Sequence, residues 1–461
     1  MHLSPDMPPS SEAMKLARIA GPLAAAYLAE YLMFVTTKLV VGELGVAPLG
    51  AVGLGGSLAF EAMVIGIAAL SVTGVLAAQA EGAGRKAEAG RAARHGLLVA
   101  CLIAAPFTWL VWNLDAVMRL TGQDAEVAAL SRPFLAALAP SVLATFIFTA
   151  LRAFASALAR TGAIMAINVA AVGLNWLLAE ALVHGRWGAP ELGIAGAGAA
   201  TSITSWAMLI ALALHIWRTP SLRGYGLFRG RFWLEPAVLR TFVRLGVPIA
   251  AMVGVEAGLF TAVGLLSGVI GAEMLAAHQV VMSWIGVPFV LALGFAEGAM
   301  VRVAHAMGRR DMPGARLSGL LALGLGSGLI ALMVVAPLSM AEPLVRLFLP
   351  ASAPGYAAVL ALVEKIILIA AIFQVFDGAQ AIMSRALRGL RDAWAPLGVA
   401  AFGYWVVGIG GGSLLAFPMG MGGPGLWTGL AAGLIVAALL LTRRFLRMTS
   451  ARCASSLPTL A

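Results

Sequence analysis

The residues able to do chemistry in this chain are few, and they stand inside apolar runs. The run Pro248–Gly268 is long enough to cross a bilayer and carries one carboxylate, Glu256, near its middle. A helix rises about 1.5 Å per residue, so about 20 residues span the hydrocarbon core. An ionisable group at that depth is costly unless it faces a cavity or a partner, which makes Glu256 a site candidate by default. Asp377 stands equally deep in a later run. Two such carboxylates can take up a proton, or Na+ if carbonyl or amide oxygens complete the set. Phe260 follows Glu256 by one turn, and Phe373 and Phe376 precede Asp377. Aromatic faces beside carboxylates suit an amphipathic cation with a flat apolar body.

The remaining intramembrane polar residues divide by depth. Lys38, Glu180, Glu364 and Lys365 lie near predicted membrane faces, where long side chains reach water. His278 and Gln279 follow a short turn at 268–275 and are placed to bond its carbonyls; Gln279 is also a candidate lining residue. Glu61 and Glu297 lie mid-helix, equally suited to a site and to a protonated link between helices. Glu30, Thr37 and Asn175 are the polar candidates of the first half.

Composition says what must position them. Of 461 residues 61% are hydrophobic and 11% charged, against about 25% charged in a soluble domain. The chain is therefore read as an all-α polytopic membrane protein. Cys101 and Cys453 offer neither a disulfide framework nor a metal set, and no cofactor is expected. Residues 1–14 are polar with no apolar core, so the first span is expected to act as the insertion signal.

Twelve apolar segments follow, near 16–41, 49–79, 95–114, 127–152, 161–184, 191–217, 241–268, 275–303, 317–341, 356–385, 393–417 and 423–443. The longest break gives a division into lobes 15–217 and 241–445, a linker 218–240 and a tail 446–461. Assigning basic residues to the intervening loops puts 25 of 31 Lys and Arg on one side, among them Arg152, Arg302, Arg385 and Arg388. The other side holds Arg119, Arg132, Arg186 and Arg346. The positive-inside rule then makes both termini and the linker cytoplasmic in a bacterial-type inner (plasma) membrane. The net charge of +10 is a topology signal, which argues against nucleic acid as a partner. Glycine-dense stretches such as Gly53–Gly56, Gly193–Gly198 and Gly408–Gly412 suit close helix packing. Pro106, Pro140, Pro248, Pro288 and Pro396 are candidate bends.

The chain also repeats itself. A shift of 226 positions places Pro22 on Pro248, Glu30 on Glu256, Gly42 on Gly268, Gly45 on Gly271 and Gly82 on Gly308, with no gap. One six-helix unit is used twice.

Several segments resemble the multidrug and toxic compound extrusion (MATE) family, most closely its NorM-like branch. They are Gly246-Val-Pro-Ile-Ala with Glu256, Leu275-Ala-Ala-His-Gln279, Val301–Gly308, Phe373-Gln-Val-Phe-Asp377-Gly and Ala386-Leu-Arg-Gly-Leu390. The first half adds Gln79–Gly84, Asn175-Trp-Leu-Leu178 and Gly188–Ala197. The resemblance implies two six-helix lobes around a V-shaped central cavity. It also implies export of cationic lipophilic compounds against entering Na+ or H+, by a monomer in contact with lipid. The cation would sit on Glu256 and Asp377, and Glu30, Thr37, Asn175, Phe260, Phe373, Phe376 and Gln279 would line the substrate cavity. One departure stands out. The family's first-helix aspartate is replaced by Thr37, beside Lys38; either Glu30, two turns earlier, takes over and attracts cationic substrate, or the N-lobe has lost its ion role. A lipid-linked precursor flippase would need a strongly cationic cavity, and a membrane enzyme a cluster of His, Asp or Cys at one face; an exporter of one dedicated metabolite remains the nearest alternative.

Overall fold

Helices running far beyond the thickness of a bilayer dominate the chain. The computed structural model describes residues 9–120, 125–228, 233, 235–338 and 340–450. Eleven helices there are long and apolar enough to span: α1 (Ser10–Gly42), α2 (Ala47–Gly82), α3 (Lys86–Trp112), α5 (Gly162–His184), α6 (Ile194–Arg218), α7 (Pro236–Ile270), α8 (Ala272–Gly308), α9 (Met312–Val335), α10 (Tyr356–Gly389), α11 (Trp394–Ala416) and α12 (Gly422–Met448). The twelfth, α4, is the pair Val127–Leu138 and Ser141–Ala157, bent by 49°. The bend falls at Pro140, one of the prolines marked in the sequence, which cannot donate to the preceding turn. Pro396 bends nothing: it lies in the first turn of α11, where its missing N–H has no helical partner to lose. No strand occurs among the described residues, as lipid requires of a chain that must satisfy its own backbone.

The repeat is visible in the backbone. Gly45 and Gly271, 226 apart, precede α2 and α8 with φ of 114° and 156°, a region that disfavours a side chain. Contacts divide the chain into two units, one of Ala25–Ala250 and one of Met1–Ala24 with Ala251–Ala461. The borders at 24/25 and 250/251 again differ by 226, each two residues after a proline inside its helix, Pro22 in α1 and Pro248 in α7. The second unit, which holds most of α7 through α12, is referred to below as the C unit, and Ala25–Ala250 as the N unit.

In the C unit, α11 opens as an α-helix, widens to a π-helix over Phe402–Gly411 and returns to α over Gly412–Ala416. Its glycines let α12 come within backbone contact. A Cβ on Gly433 would lie 2.3 Å from the Gly403 carbonyl oxygen, and one on Gly429 2.2 Å from the Gly412 Cα. This approach buries Tyr404 and Trp427 in a core with Phe373.

Arginines assigned to loops stand inside helices instead, among them Arg152 in α4, Arg302 in α8, and Arg385 and Arg388 in α10. The physical reason is helix length. The 37 residues of α8 extend about 55 Å, well past about 30 Å of hydrocarbon, so a helix carries its own polar ends. Arg302 is buried and held by Glu12: Nε donates to Oε1 at 2.7 Å and Nη2 to Oε2 at 2.6 Å, while Ser318 donates to Oε1 at 2.7 Å. The segment after α6 lies along α3. Arg94 donates to the Gly226 carbonyl at 2.6 Å, Tyr225 stacks edge-on to Phe154 at 5.8 Å, and the Glu235 amide donates to His95 Nε2 at 3.2 Å. Arg229, Arg231, Arg452 and Cys453 lie outside the described residues.

Candidate functional site

The C unit gathers its carboxylates from three helices. Asp377 is buried in α10, and its Oδ1 has no hydrogen-bond partner among the described residues. Glu256 of α7 is partly open, and the charges of the two carboxylates act on each other. Tyr404, brought in by the π-helix of α11, feels both carboxylates and the Arg388 guanidinium, and its hydroxyl is likewise unpartnered. Arg385 and Arg388 act on Glu256 from α10. Arg385 lies against Glu297 of α8, Nε to Oε2 3.8 Å. Arg388 points a terminal nitrogen at the Met252 sulfur, 3.9 Å away, and Ser384 donates to the same sulfur at 3.3 Å. One turn to either side of Asp377, Gln374 and Gln380 are fully buried with unpartnered amides. No three of His, Cys, Asp and Glu converge as a metal cluster among the described residues, so oxygens from other residue types would have to complete a cation site.

Aromatic rings wall this cluster on one side. Phe260 meets Phe373 edge-on at 6.2 Å, and Phe373 meets Trp427 at 5.7 Å. Phe373 is fully buried, while Phe260 and Phe376 are half-buried against the same core. His278 does not fulfil the carbonyl-bonding expectation at Nδ1. It packs on Trp427 at 5.6 Å with that nitrogen unpartnered. Gln279 is exposed.

The N unit is arranged differently. Thr37 and Asn175 are buried together, Asn175 Nδ2 donating to Thr37 Oγ1 at 2.9 Å, and Thr37 donating to the Met33 carbonyl at 2.9 Å. Glu30 is no free anion, contrary to the expectation drawn from the sequence. Arg152 Nη1 lies 2.6 Å from Glu30 Oε1, and Asn168 Nδ2 donates to the same oxygen at 2.8 Å. Glu180 pairs with Arg186 at 2.8 Å, Lys38 lies 4.1 Å over the Phe34 ring, and Glu61 is exposed in mid-span.

The family profile described as MatE matches this chain twice, over residues 22–181 and 248–413. The chain belongs to the MATE family. The matches begin at Pro22 and Pro248, the same 226-residue step that the helices show. The chain is 35% identical over 445 residues to a probable multidrug resistance protein NorM of Pseudomonas putida, covering 96% of each chain. It is also 35% identical to the multidrug resistance protein NorM of Burkholderia vietnamiensis, covering 97% of this chain and 96% of that one. Among solved structures, an outward-facing MATE transporter of the MOP superfamily superposes with a TM-score of 0.87 at 19% identity, covering 97% of each chain. The eukaryotic MATE transporter AtDTX14 gives 0.83 at 23%, covering 96% of this chain and 99% of that one. The likeness to these structures establishes the twelve-span MATE fold, and the family is one of transporters rather than enzymes.

Reading the MATE sequence alone picks out Glu256, Asp377, Phe260, Phe373 and Phe376 but passes over Tyr404, Arg388, Gln374 and Gln380, and in the N unit Arg152 and Asn168. Two signals were available. Ala150-Leu-Arg152 and Ala386-Leu-Arg388 are one tripeptide used twice, and glutamines flank Asp377 at helical spacing.

Proposed function

We propose that this MATE transporter exports cationic amphipathic drugs or toxins by antiport against Na+ or H+, with Glu256 and Asp377 carrying the coupling cation. The observation that supports it most is the convergence of these two carboxylates with the unpartnered Tyr404 hydroxyl in an aromatic-walled core. The multidrug resistance names of relatives along nearly the whole chain support drugs as the cargo. A cation that binds the carboxylate pair removes negative charge and weakens the hold on a cationic substrate. Drug and coupling ion therefore exclude each other, and exclusion at a shared site is what turns two fluxes into an exchange. Each charge entering a negative interior brings about 2.3 kcal/mol per 100 mV. Phe260 and Phe376 would present ring faces to the substrate. Gln279, Thr37 and Asn175 would border the path, the last two already tied to each other. By the positive-inside rule, the excess of basic residues on one side supports cytoplasmic termini for a protein of the bacterial inner membrane.

The test is uptake of a fluorescent lipophilic cation by proteoliposomes, with a Na+ gradient and a pH gradient imposed separately. One gradient is expected to drive uptake, and Glu256→Gln or Asp377→Asn to abolish it while the protein stays monodisperse. Gradient-driven uptake that survives in both variants would move the coupling site elsewhere.

A further inference from the structure

The two units resemble each other closely enough that a difference between them carries information. Their register is 226 at α1 and α7, and it is 232 at the ends of α4 and α10. There α4 stops at Ala157 and α10 at Gly389, and each is followed two residues on by a positive φ, 56° at Ala159 and 61° at Arg391. The backbone bonds that close the two ends, Arg160 to Ala155 at 2.9 Å and Asp392 to Leu387 at 3.0 Å, keep the same step of 232.

In this register Glu30 corresponds to Glu256, Thr145 to Asp377, Arg152 to Ser384, and Ser156 to Arg388. At the matching positions the C unit therefore has two carboxylates, Glu256 and Asp377; its Arg388 guanidinium is set one helical turn beyond Ser384, at the Met252 sulfur, and its Arg385 lies against Glu297. The N unit has one carboxylate, and a guanidinium stands where the C unit has a serine. Helical side chains lean toward the N-terminus of their helix, and α1 and α4 run in opposite directions, with two spans between them. Glu30 and Arg152 thus lean toward each other. They meet at 2.6 Å, with Asn168 on the same oxygen.

What surrounds the Arg152 side chain is what a cation site offers. It has a carboxylate at bonding distance, the Tyr27 ring at 5.0 Å and the Phe148 ring at 5.9 Å. Asn168, fully buried, has an Oδ1 with no partner among the described residues, a further oxygen beside the carboxylate. The Glu30 side chain keeps 35% of its surface open, so the pair is not sealed inside the packed core.

We propose that Arg152 is a resident cation in the N unit's copy of the cation site, so that exchangeable cation binding is confined to the C unit. The inference rests on the coupling role of Glu256 and Asp377. Its core, a latent monovalent-cation site on Glu30 and Asn168 closed by an arginine, is tested separately. A guanidinium stays charged at any working pH and cannot diffuse away, so it neutralises Glu30 permanently where Na+ or H+ would exchange. Replacing it with the residue the C unit carries at that position, Arg152→Ser, removes the occupant and leaves the carboxylate.

The experiment counts cations bound per chain on the full-length purified transporter, with 22Na+ and with methylguanidinium as probes. The background is Glu256→Gln, which silences the C unit. If Glu256→Gln alone retains the binding of the parent, the coupling reading fails, and the comparison that follows still judges Arg152 by the difference. Adding Arg152→Ser is expected to create one new site for one of these probes, lost again when Glu30→Gln is added. A folded Arg152→Ser, Glu256→Gln protein that gains no site for either probe, or a gained site that survives Glu30→Gln, overturns the inference. Should the arginine variant fail to fold, the parent decides. At saturation it is expected to bind one exchangeable monovalent cation, lost in Glu256→Gln and kept in Glu30→Gln, and a second site lost in Glu30→Gln would overturn the inference.

Discussion

A carboxylate in a membrane protein is available for exchange only if no cation of the protein has already taken it. Glu12, Glu30 and Glu180 are taken, by Arg302, Arg152 and Arg186 at 2.6 to 2.8 Å, while Glu297 has Arg385 at 3.8 Å. Asp377 has an oxygen to spare, and this sets it apart more than its depth does. The sequence shows the depth of each carboxylate but not its partner, since Arg152 and Glu30 are 122 residues apart and meet only through packing of α1 on α4. Breaking the buried Glu12–Arg302 pair, away from the candidate site, should therefore cost stability rather than transport specificity. Glu12→Ala leaves the buried Arg302 guanidinium without its bidentate anion, a loss of about 3–5 kcal/mol. Ser318→Ala removes one hydrogen bond and should cost about 1 kcal/mol. Thermal unfolding in detergent checks the ranking, and equal midpoints for the two variants would show that the pair contributes little.

At the scale of elements, the apolar runs mark the spans because lipid admits few other solutions, and eleven of the twelve expected segments form single helices. The twelfth breaks at Pro140, as a proline within a run suggests. The π-helix in α11 carries no such mark. Phe402–Gly411 reads as one more apolar, glycine-rich stretch, and the wider turn is seen only in the structure, where the stretch packs on α12. Yet that turn delivers Tyr404 to the carboxylates, so the third arm of the candidate site is invisible in the sequence, whereas Glu256 and Asp377 are plain there. The dependence on close approach can be measured. Gly433→Val puts branched carbon where the Gly403 oxygen lies 2.3 Å from a Cβ, and neither neighbour is a flexible side chain. It is expected to abolish gradient-driven uptake and lower the unfolding midpoint. Gly411→Ala, with nothing within 4 Å, is expected to leave both unchanged. A Gly433→Val protein as active as the parent would remove the α11–α12 contact from the account of Tyr404.

At the scale of the whole molecule, sidedness follows from charges that survive scrutiny of their surroundings. Arg152, Arg302, Arg385 and Arg388 are engaged with protein groups inside their units, so they are weak guides to topology, and setting these four aside leaves 21 basic residues on one side against four on the other. The bias is large enough that no single arginine decides it. Arg85 and Leu120 make a direct check, because the spanning helix Lys86–Trp112 separates them, about 40 Å of rise. Both are exposed, Arg85 in the turn before α3 and Leu120 at the end of a short helix, Leu114–Leu120. In a chain lacking Cys101 and Cys453, Arg85→Cys should react with a membrane-impermeant maleimide only after the inner membrane is permeabilised. Leu120→Cys should react in spheroplasts without permeabilisation. Labelling of Arg85→Cys on intact spheroplasts, with protection of Leu120→Cys, would invert the transporter. The direction of antiport would then have to be argued again from the opposite face.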